Sequence, residues 1–391
     1  MAAHSPAELR REFLLDPEIA FLNHGSFGAC PRPVFERCQA WQRELERDPV
    51  DFIARRLPSL LDESRATLAG YVGAAPGDLA FVTNATTAVN LAARALDLRP
   101  GDEVLATDLE YGACDLAWEW LCRRTGAHYV RAAIPLPLAA PHDVTDALFA
   151  AATDRTRVVS VSHVTSGTAL VLPVAEIVGR ARELGLTTIV DGAHAPGHVP
   201  LALDTLGADF YAGNCHKWLM SPKGAGFLHA RREWQERVDA AIVSWGYVDG
   251  KTFSERIELQ GTRDVAAWLA VPDAIRFQEE REWDAVRARC HTLACEARRT
   301  LCARLGTEPL APDAMLGQMA AVTLPRPSPT LSDRLFRNHR IEIPTTGPAD
   351  DRLRLSVAAY TSGAEVERLL SALPRELDAE HGQEHEQPDP E

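Results

Sequence analysis

The chain has 391 residues, room for two or three domains and a sizeable core. With 46% hydrophobic and 25% charged residues it has the composition of an ordinary globular protein, and no run approaches the roughly 18 uninterrupted apolar residues of a membrane span. The net charge of −14 and the lack of any basic stripe exclude a nucleic-acid binder, since nothing is placed to neutralise phosphates.

In chain order, residues 1–11 show no apolar core behind their charges and no small-residue cleavage pattern, so a cytoplasmic location is expected. From about residue 60 to 230, short β-rich runs alternate with helical patterns, the signature of a parallel sheet covered by helices. Strands are expected at 79–83, 103–107, 128–132, 157–162, 187–190, 209–212 and 226–230. A helix is expected at 86–96, where Val89, Leu91, Ala92, Ala95 and Leu96 recur at helical spacing. Beyond residue 270 the pattern becomes a long Arg- and Glu-rich helical segment, 274–305, followed by a Pro-rich connection at 325–329 and short strands, which reads as a second domain. Residues 375–391, acidic and without a single lysine after Arg375, read as a solvated, disordered tail.

Several familiar chemistries fail on inspection. The 8 cysteines form no C-x-x-C pair, which disfavours a zinc ribbon and a disulfide framework alike. There is no Walker loop, and no G-x-G-x-x-G follows a strand. His24-Gly25-Ser26-Phe27-Gly28 has His where a nucleophile elbow requires Gly. His194 and His198 are four apart, but Pro196 and Gly197 between them oppose the helix that a zinc pair would need, so no metal site is expected.

Two segments remain, Val190-Asp191-Gly192-Ala193-His194 and Asn214-Cys215-His216-Lys217-Trp218. Each begins where a predicted strand ends, at the edge where open α/β sheets bind ligands. A carboxylate there can hold a heterocyclic nitrogen protonated, and a lysine can form a Schiff base with an aldehyde; together they describe a pyridoxal phosphate site. Taken singly, an Asp after a strand is ordinarily a helix cap and a lysine a solvated charge. Yet Lys217 is one of only three lysines, and the other two, Lys223 and Lys251, sit in turn-like sequences. Thr83-Asn84-Ala85-Thr86-Thr87 offers hydroxyls at a helix start, where free N–H groups and the dipole attract a phosphate. Cys215, two residues before the lysine, reads as a packed thiol.

At these residues the chain resembles the class V aminotransferase family of fold-type I pyridoxal phosphate enzymes, in particular its isopenicillin N epimerase-like branch. FLNHGSFGACPRPV, Asp48-Pro49-Val50, SHVTSGTALVLPV, VDGAHAPGHVPL, GADFYAGNCHKW, SPKGAGFLHAR and SWGY carry the resemblance in order. It implies an α/β fold: a large cofactor-binding domain, 41–270, with a mostly parallel seven-stranded sheet between helices. A segment contributing to the substrate pocket, 1–40, precedes it, and a smaller α+β domain, 271–374, follows. The resemblance makes Lys217 the lysine that carries the cofactor, Asp191 the partner of the pyridine nitrogen, His194 the partner of the phenolic oxygen and Tyr111 the ring-stacking residue. Thr86, Thr87, Asn214 and His216 would hold the phosphate, with Thr262 reaching it from the second subunit of a homodimer. Arg354 would grip the substrate α-carboxylate, with Asn23, the backbone near Gly25 and Ser166 lining the same pocket. The implied reaction is epimerisation of an amino-acid moiety; a C–S β-lyase, an aminotransferase and a non-catalytic scaffold are the alternatives. Ser166 stands where cysteine desulfurases place an Asn, and residues 341–352 contain no cysteine, so a persulfide-forming nucleophile is missing.

Overall fold

The seven runs expected as strands form one sheet in the computed structural model, which describes residues 4–384. They are β1 (Leu79–Val82), β2 (Glu103–Thr107), β3 (His128–Ala132), β4 (Thr156–Ser162), β5 (Thr187–Gly192), β6 (Phe210–Asn214) and β7 (Gly226–Ala230). Their spatial order is β1-β7-β6-β5-β4-β2-β3, and β7 runs antiparallel to both its neighbours while the others share one direction. β1, β2, β6 and β7 are buried along their whole length, which is why they read as near-continuous apolar runs. Alternate residues feed two cores on opposite faces: Leu79 and Phe81 join one, Ala80 and Val82 the other. β5 and β6 each extend two residues past their expected ends, so Asp191 and Asn214 belong to the sheet itself and inherit its rigidity.

A second sheet of three antiparallel strands, β8 (Met319–Thr323), β9 (Thr345–Thr346) and β10 (Arg352–Ser356), has the order β9-β10-β8. Arg354 sits on β10 opposite Ala321. Near the N-terminus, Ala20–Phe21 pairs in parallel with Ile341–Glu342, and the Ser356 N–H donates to the Leu22 carbonyl at 2.8 Å. That short pairing carries residues 23–28 to the junction of the two sheets.

Two expectations change. The helical segment 274–305 is two helices, Val271–Glu279 and Trp283–Leu305, broken at Glu282, whose φ of 50° lies in the left-handed region. Arg281 fixes the break, donating to Glu12 at 2.6 Å and lying over the Phe277 ring. The tail expected from residue 375 is also corrected, because the helix Gly363–Glu384 runs through Pro374 and beyond. Proline cannot bond the carbonyl one turn back, and Arg304 donates to that Leu370 carbonyl instead. Glu376, counted above as tail, is buried and accepts from Arg334, Asn338 and His339. The last stretch of the acidic run, 385–391, lies outside the described residues. No helix among the described residues is long and apolar enough to cross a membrane.

Candidate active site

Asp191 is the penultimate residue of β5, Asn214 closes β6 with Lys217 three residues later, and Thr86 stands in the first turn of the helix Ala85–Arg94 that follows β1. Strands running one way present their carboxyl ends together, so positions far apart in sequence meet at one edge. There they line a cavity of about 210 Å³ with Ser26, Tyr111 and His194 among its walls.

Lys217 Nζ lies 3.1 Å from His194 Nε2. Burial, and then the nearby charge of Arg354, lowers the amine's pKa to about 8, so an uncharged, nucleophilic fraction exists near neutrality. His194 is itself buried, which pushes its pKa well below the usual imidazole range and keeps the ring neutral. Asp191 is held from two sides: Oδ1 accepts the Ala193 N–H at 2.9 Å and Oδ2 the Cys114 thiol at 3.3 Å. Burial and the Asp191 charge raise the Cys114 pKa, which keeps that thiol a donor. A second carboxylate, Glu110, accepts the Ser162 N–H at 2.8 Å and hydroxyl at 2.6 Å, and burial lifts its pKa to about 7.

At the other end of the cavity, Asn84 caps the helix Ala85–Arg94 by accepting the Thr87 N–H at 2.9 Å, while Asn214 Oδ1 accepts the Ala85 N–H at 2.8 Å. The Thr86 N–H and hydroxyl, facing the cavity, have no partner among the described residues. Thr86 therefore keeps its N–H and hydroxyl open at this helix start, whereas Thr87 is consumed by the cap, its hydroxyl shared with Asn84 and Thr83. His216 places Nδ1 3.3 Å from the Ala225 carbonyl, which requires a proton there and leaves Nε2 as an acceptor in the neutral ring. Tyr111 lines the mouth at 46% exposure, too open for a core tyrosine.

Arg354 is buried and donates only to neutral acceptors: the Ser166 carbonyl at 2.8 Å, the Ser26 hydroxyl at 2.8 Å and Asn23 Oδ1 at 3.4 Å. Its Nε has no partner, and desolvation lowers its pKa to about 10. The two serines line the cavity and the guanidinium stands behind them. Asn23 likewise supports Arg354 rather than the cavity wall. The Gly25 N–H is already given to Ser356 Oγ at 3.1 Å, and a Cβ there would come within 2.5 Å of Met319 Sδ. Its place is thus set by packing against the second sheet. Thr262 is exposed and lines a different cavity, of about 570 Å³, with Trp245 and Arg65. Cys215 is fully buried, as expected of a packed thiol. The described residues include one cluster of metal-ligating type, Asp78, Asp204 and His229, away from Lys217 and with Asp78 already bonded by Gln235.

The model of the family "Aminotransferase class-V" matches residues 31–369. The chain belongs to the class V aminotransferase family. It is 40% identical over 392 residues to an isopenicillin N epimerase of Streptomyces clavuligerus, covering 95% of this chain and 98% of that one. It is 34% identical to a putative L-cysteine desulfhydrase of Oryza sativa subsp. japonica, over 82% of this chain and 70% of the relative. A solved structure of the enzyme C-DES, with glycine covalently linked to its pyridoxal phosphate cofactor, shares the fold with a TM-score of 0.80 at 23% identity, covering 93% of this chain and 98% of that one.

Pyridoxal phosphate is the cofactor of this class V family, and the residues here fit it. A buried amine of lowered pKa, a carboxylate fixed from two sides, an unpartnered hydroxyl and N–H at a helix start, and an orphaned guanidinium nitrogen are each complementary to one part of the cofactor or its amino-acid partner. Sequence reading passes over Ser26, Glu110, Cys114 and Trp218. Ser26 lies in the run weighed only as a nucleophile elbow, and Glu110 precedes Tyr111; for Cys114 no local pattern exists, because its role arises from a helix packing on β5.

Proposed function

We propose that the protein inverts the configuration at the α-carbon of an amino-acid substrate bearing a free α-carboxylate. The observation that carries this reading is the pairing, across one cavity wall, of a buried lysine of lowered pKa with a buried arginine that has no carboxylate of its own. The first is suited to take a proton and the second to hold an anion. Pyridoxal phosphate, when bound, supplies the sink for the electron pair left at the α-carbon. Asp191 would keep the positive charge on that sink's nitrogen, and the Cys114 thiol and Ala193 N–H hold the Asp191 carboxylate in place. Thr86 and His216 would hold the phosphate, whose negative charge would have to raise the His216 pKa from about 4, where burial sets it, for that ring to donate to it. Arg354 exchanges its serine acceptors for the substrate carboxylate and so orients the α-carbon. Lys217 then moves the proton from one face, with His194 holding Nζ.

The near-full-length likeness to an isopenicillin N epimerase supports epimerisation as the outcome. A C–S β-lyase is the second reading, supported by the likeness to a cysteine desulfhydrase, and it shares every step through proton removal. Amino transfer differs only in where the proton returns, and a silent scaffold is opposed by the presence of both Lys217 and Asp191. We further propose that Thr262 acts in a homodimer, completing the phosphate site of a second subunit, and that the pocket is assembled from segment 1–40 with domains 41–270 and 271–374.

Incubation of the purified holoenzyme with amino-acid candidates in heavy water tests the reading. The expected result is α-deuteration with loss of optical purity and without release of keto acid or sulfide. Release of sulfide or keto acid at the rate of deuteration would replace epimerisation by elimination. Lys217→Ala should abolish exchange and the borohydride-fixed cofactor, whereas Lys223→Ala and Lys251→Ala retain both.

A further inference from the structure

Trp218, next to the lysine, is almost fully buried with its ring between two imidazoles, His24 at 4.8 Å and His198 at 4.4 Å between ring centroids. Its Nε1–H points at His194 Nδ1 at 3.3 Å, and the opposite nitrogen of His194 faces Lys217 Nζ at 3.1 Å. An indole nitrogen donates and has no lone pair to offer, and a neutral imidazole has one donor and one acceptor. Burial keeps His194 neutral. Nδ1 must therefore accept from Trp218, and the single ring proton must sit on Nε2.

We propose that Trp218 is a positioning residue that fixes His194 in the Nε2–H form, making it a donor toward Lys217 and the cavity beside it. The inference rests on the reading of Lys217 as the reactive amine. A protonated Lys217 would set N–H against N–H, so the fixed donor favours the uncharged amine, in the same direction as burial and Arg354 and against Asp191 and Cys114. The flanking rings follow the same logic. His24 Nε2 faces the Lys217 carbonyl at 3.0 Å and must donate, so its Nδ1 accepts from Tyr360 Oη at 2.8 Å. His198 Nε2 accepts the Gln318 N–H, so its Nδ1 donates to the His194 carbonyl at 3.0 Å. Gly197, at φ 84°, lets the chain pass against the Trp218 carbonyl, where a Cβ would lie 2.2 Å from the oxygen. Each ring thus has a partner that can bond it in one form only, and the two tilted ring contacts pack Trp218 where its N–H reaches His194.

Two measurements on the cofactor-free protein test this without reference to the reaction. Long-range ¹H–¹⁵N correlation spectra of histidine-labelled protein, with His194 assigned through His194→Gln, should show Nδ1 unprotonated and Nε2 protonated at neutral pH; the reverse pattern overturns the proposal. Trp218→Phe keeps a ring between His24 and His198 but removes the donor. In it His194 should populate both tautomers, and the Lys217 pKa, read from a lysine-labelled sample with only three lysines to assign, should rise by at least one unit, a tenfold change in the uncharged fraction. Arg354, Asp191 and Cys114, the other groups facing Lys217, are unchanged in that variant. A folded Trp218→Phe protein with an unaltered His194 tautomer and Lys217 pKa overturns the role of Trp218. If the variant does not fold, the tautomer in the unsubstituted protein decides alone. Failure of the heavy-water experiment with the expected tautomer present would leave this inference standing and remove only the proposed reaction.

Discussion

Arg65, on the helix Leu57–Val72, and Arg354, on β10, are buried to a similar degree, at 7% and 4% exposure. Arg65 meets a buried carboxylate, donating to Glu258 Oε2 at 2.9 Å and Oε1 at 3.2 Å, and a third nitrogen reaches Asp62 at 2.8 Å. Burial opposes its charge, but Glu258 and Asp62 more than offset that and raise its pKa. Arg354 meets only hydroxyl, amide and carbonyl oxygens, and burial wins. Among the described residues it has no carboxylate partner. A buried guanidinium whose counter-charge is built in braces the fold; one whose counter-charge is missing carries an uncompensated charge that a bound anion would offset.

The largest effect expected from this contrast is at the brace. Glu258→Gln leaves Arg65 buried with half its partner and should destabilise the protein by about 3–5 kcal/mol in chemical denaturation, with KM for amino acids little changed. A loss below about 1 kcal/mol would place Arg65 and Arg354 in the same class. Next comes Arg354→Met, of similar volume and without charge. It should lower kcat/KM for α-carboxylate substrates roughly 100-fold, about 2.7 kcal/mol, while the melting temperature of the free protein stays the same or rises. Equal loss on an amine lacking the carboxylate, or a clear fall in stability, would make Arg354 a brace as well.

The smallest effect sharpens the contrast at the cavity wall, which is held by neutral imidazoles instead of ion pairs. Burial lowers the pKa of His24 and of His198 to about 3, against about 6.5 in the unfolded chain. Between those values the unfolded state binds more protons, so stability is present above pH 6.5 and is lost as pH falls toward 3. From pH 6.5 to 5.5 each ring should subtract about 1 kcal/mol, and His24→Gln should remove its share of that slope. An unchanged slope would show that His24 is not kept neutral.

Which residues would meet was only partly legible in the chain. Asp191, His194 and Lys217 are readable because each stands at a strand end, and apolar runs between turn signals declare those ends before any contact is known. The scarcity of lysine made one of them conspicuous. The helix cap at Asn84 is equally local, since a side chain bonding its own next turn needs no distant partner.

Roles that depend on what lies across a gap were not legible. Thr86 and Thr87 are adjacent in sequence, and only the cap geometry assigns one to the cavity and the other to the helix. The helix through Pro374 required Arg304, contributed by another helix, to satisfy a carbonyl. Cys114 becomes a donor to Asp191, Trp218 comes to lie between His24 and His198, and Arg354 is left without a carboxylate, only when the helix 112–125, the N-terminal segment and the second sheet close on the main sheet. Periodicity and turn chemistry act over a few residues and set the elements and the strand-end residues. Burial, charge pairing and tautomer choice are properties of the packed surroundings, and for these the tertiary structure alone is decisive.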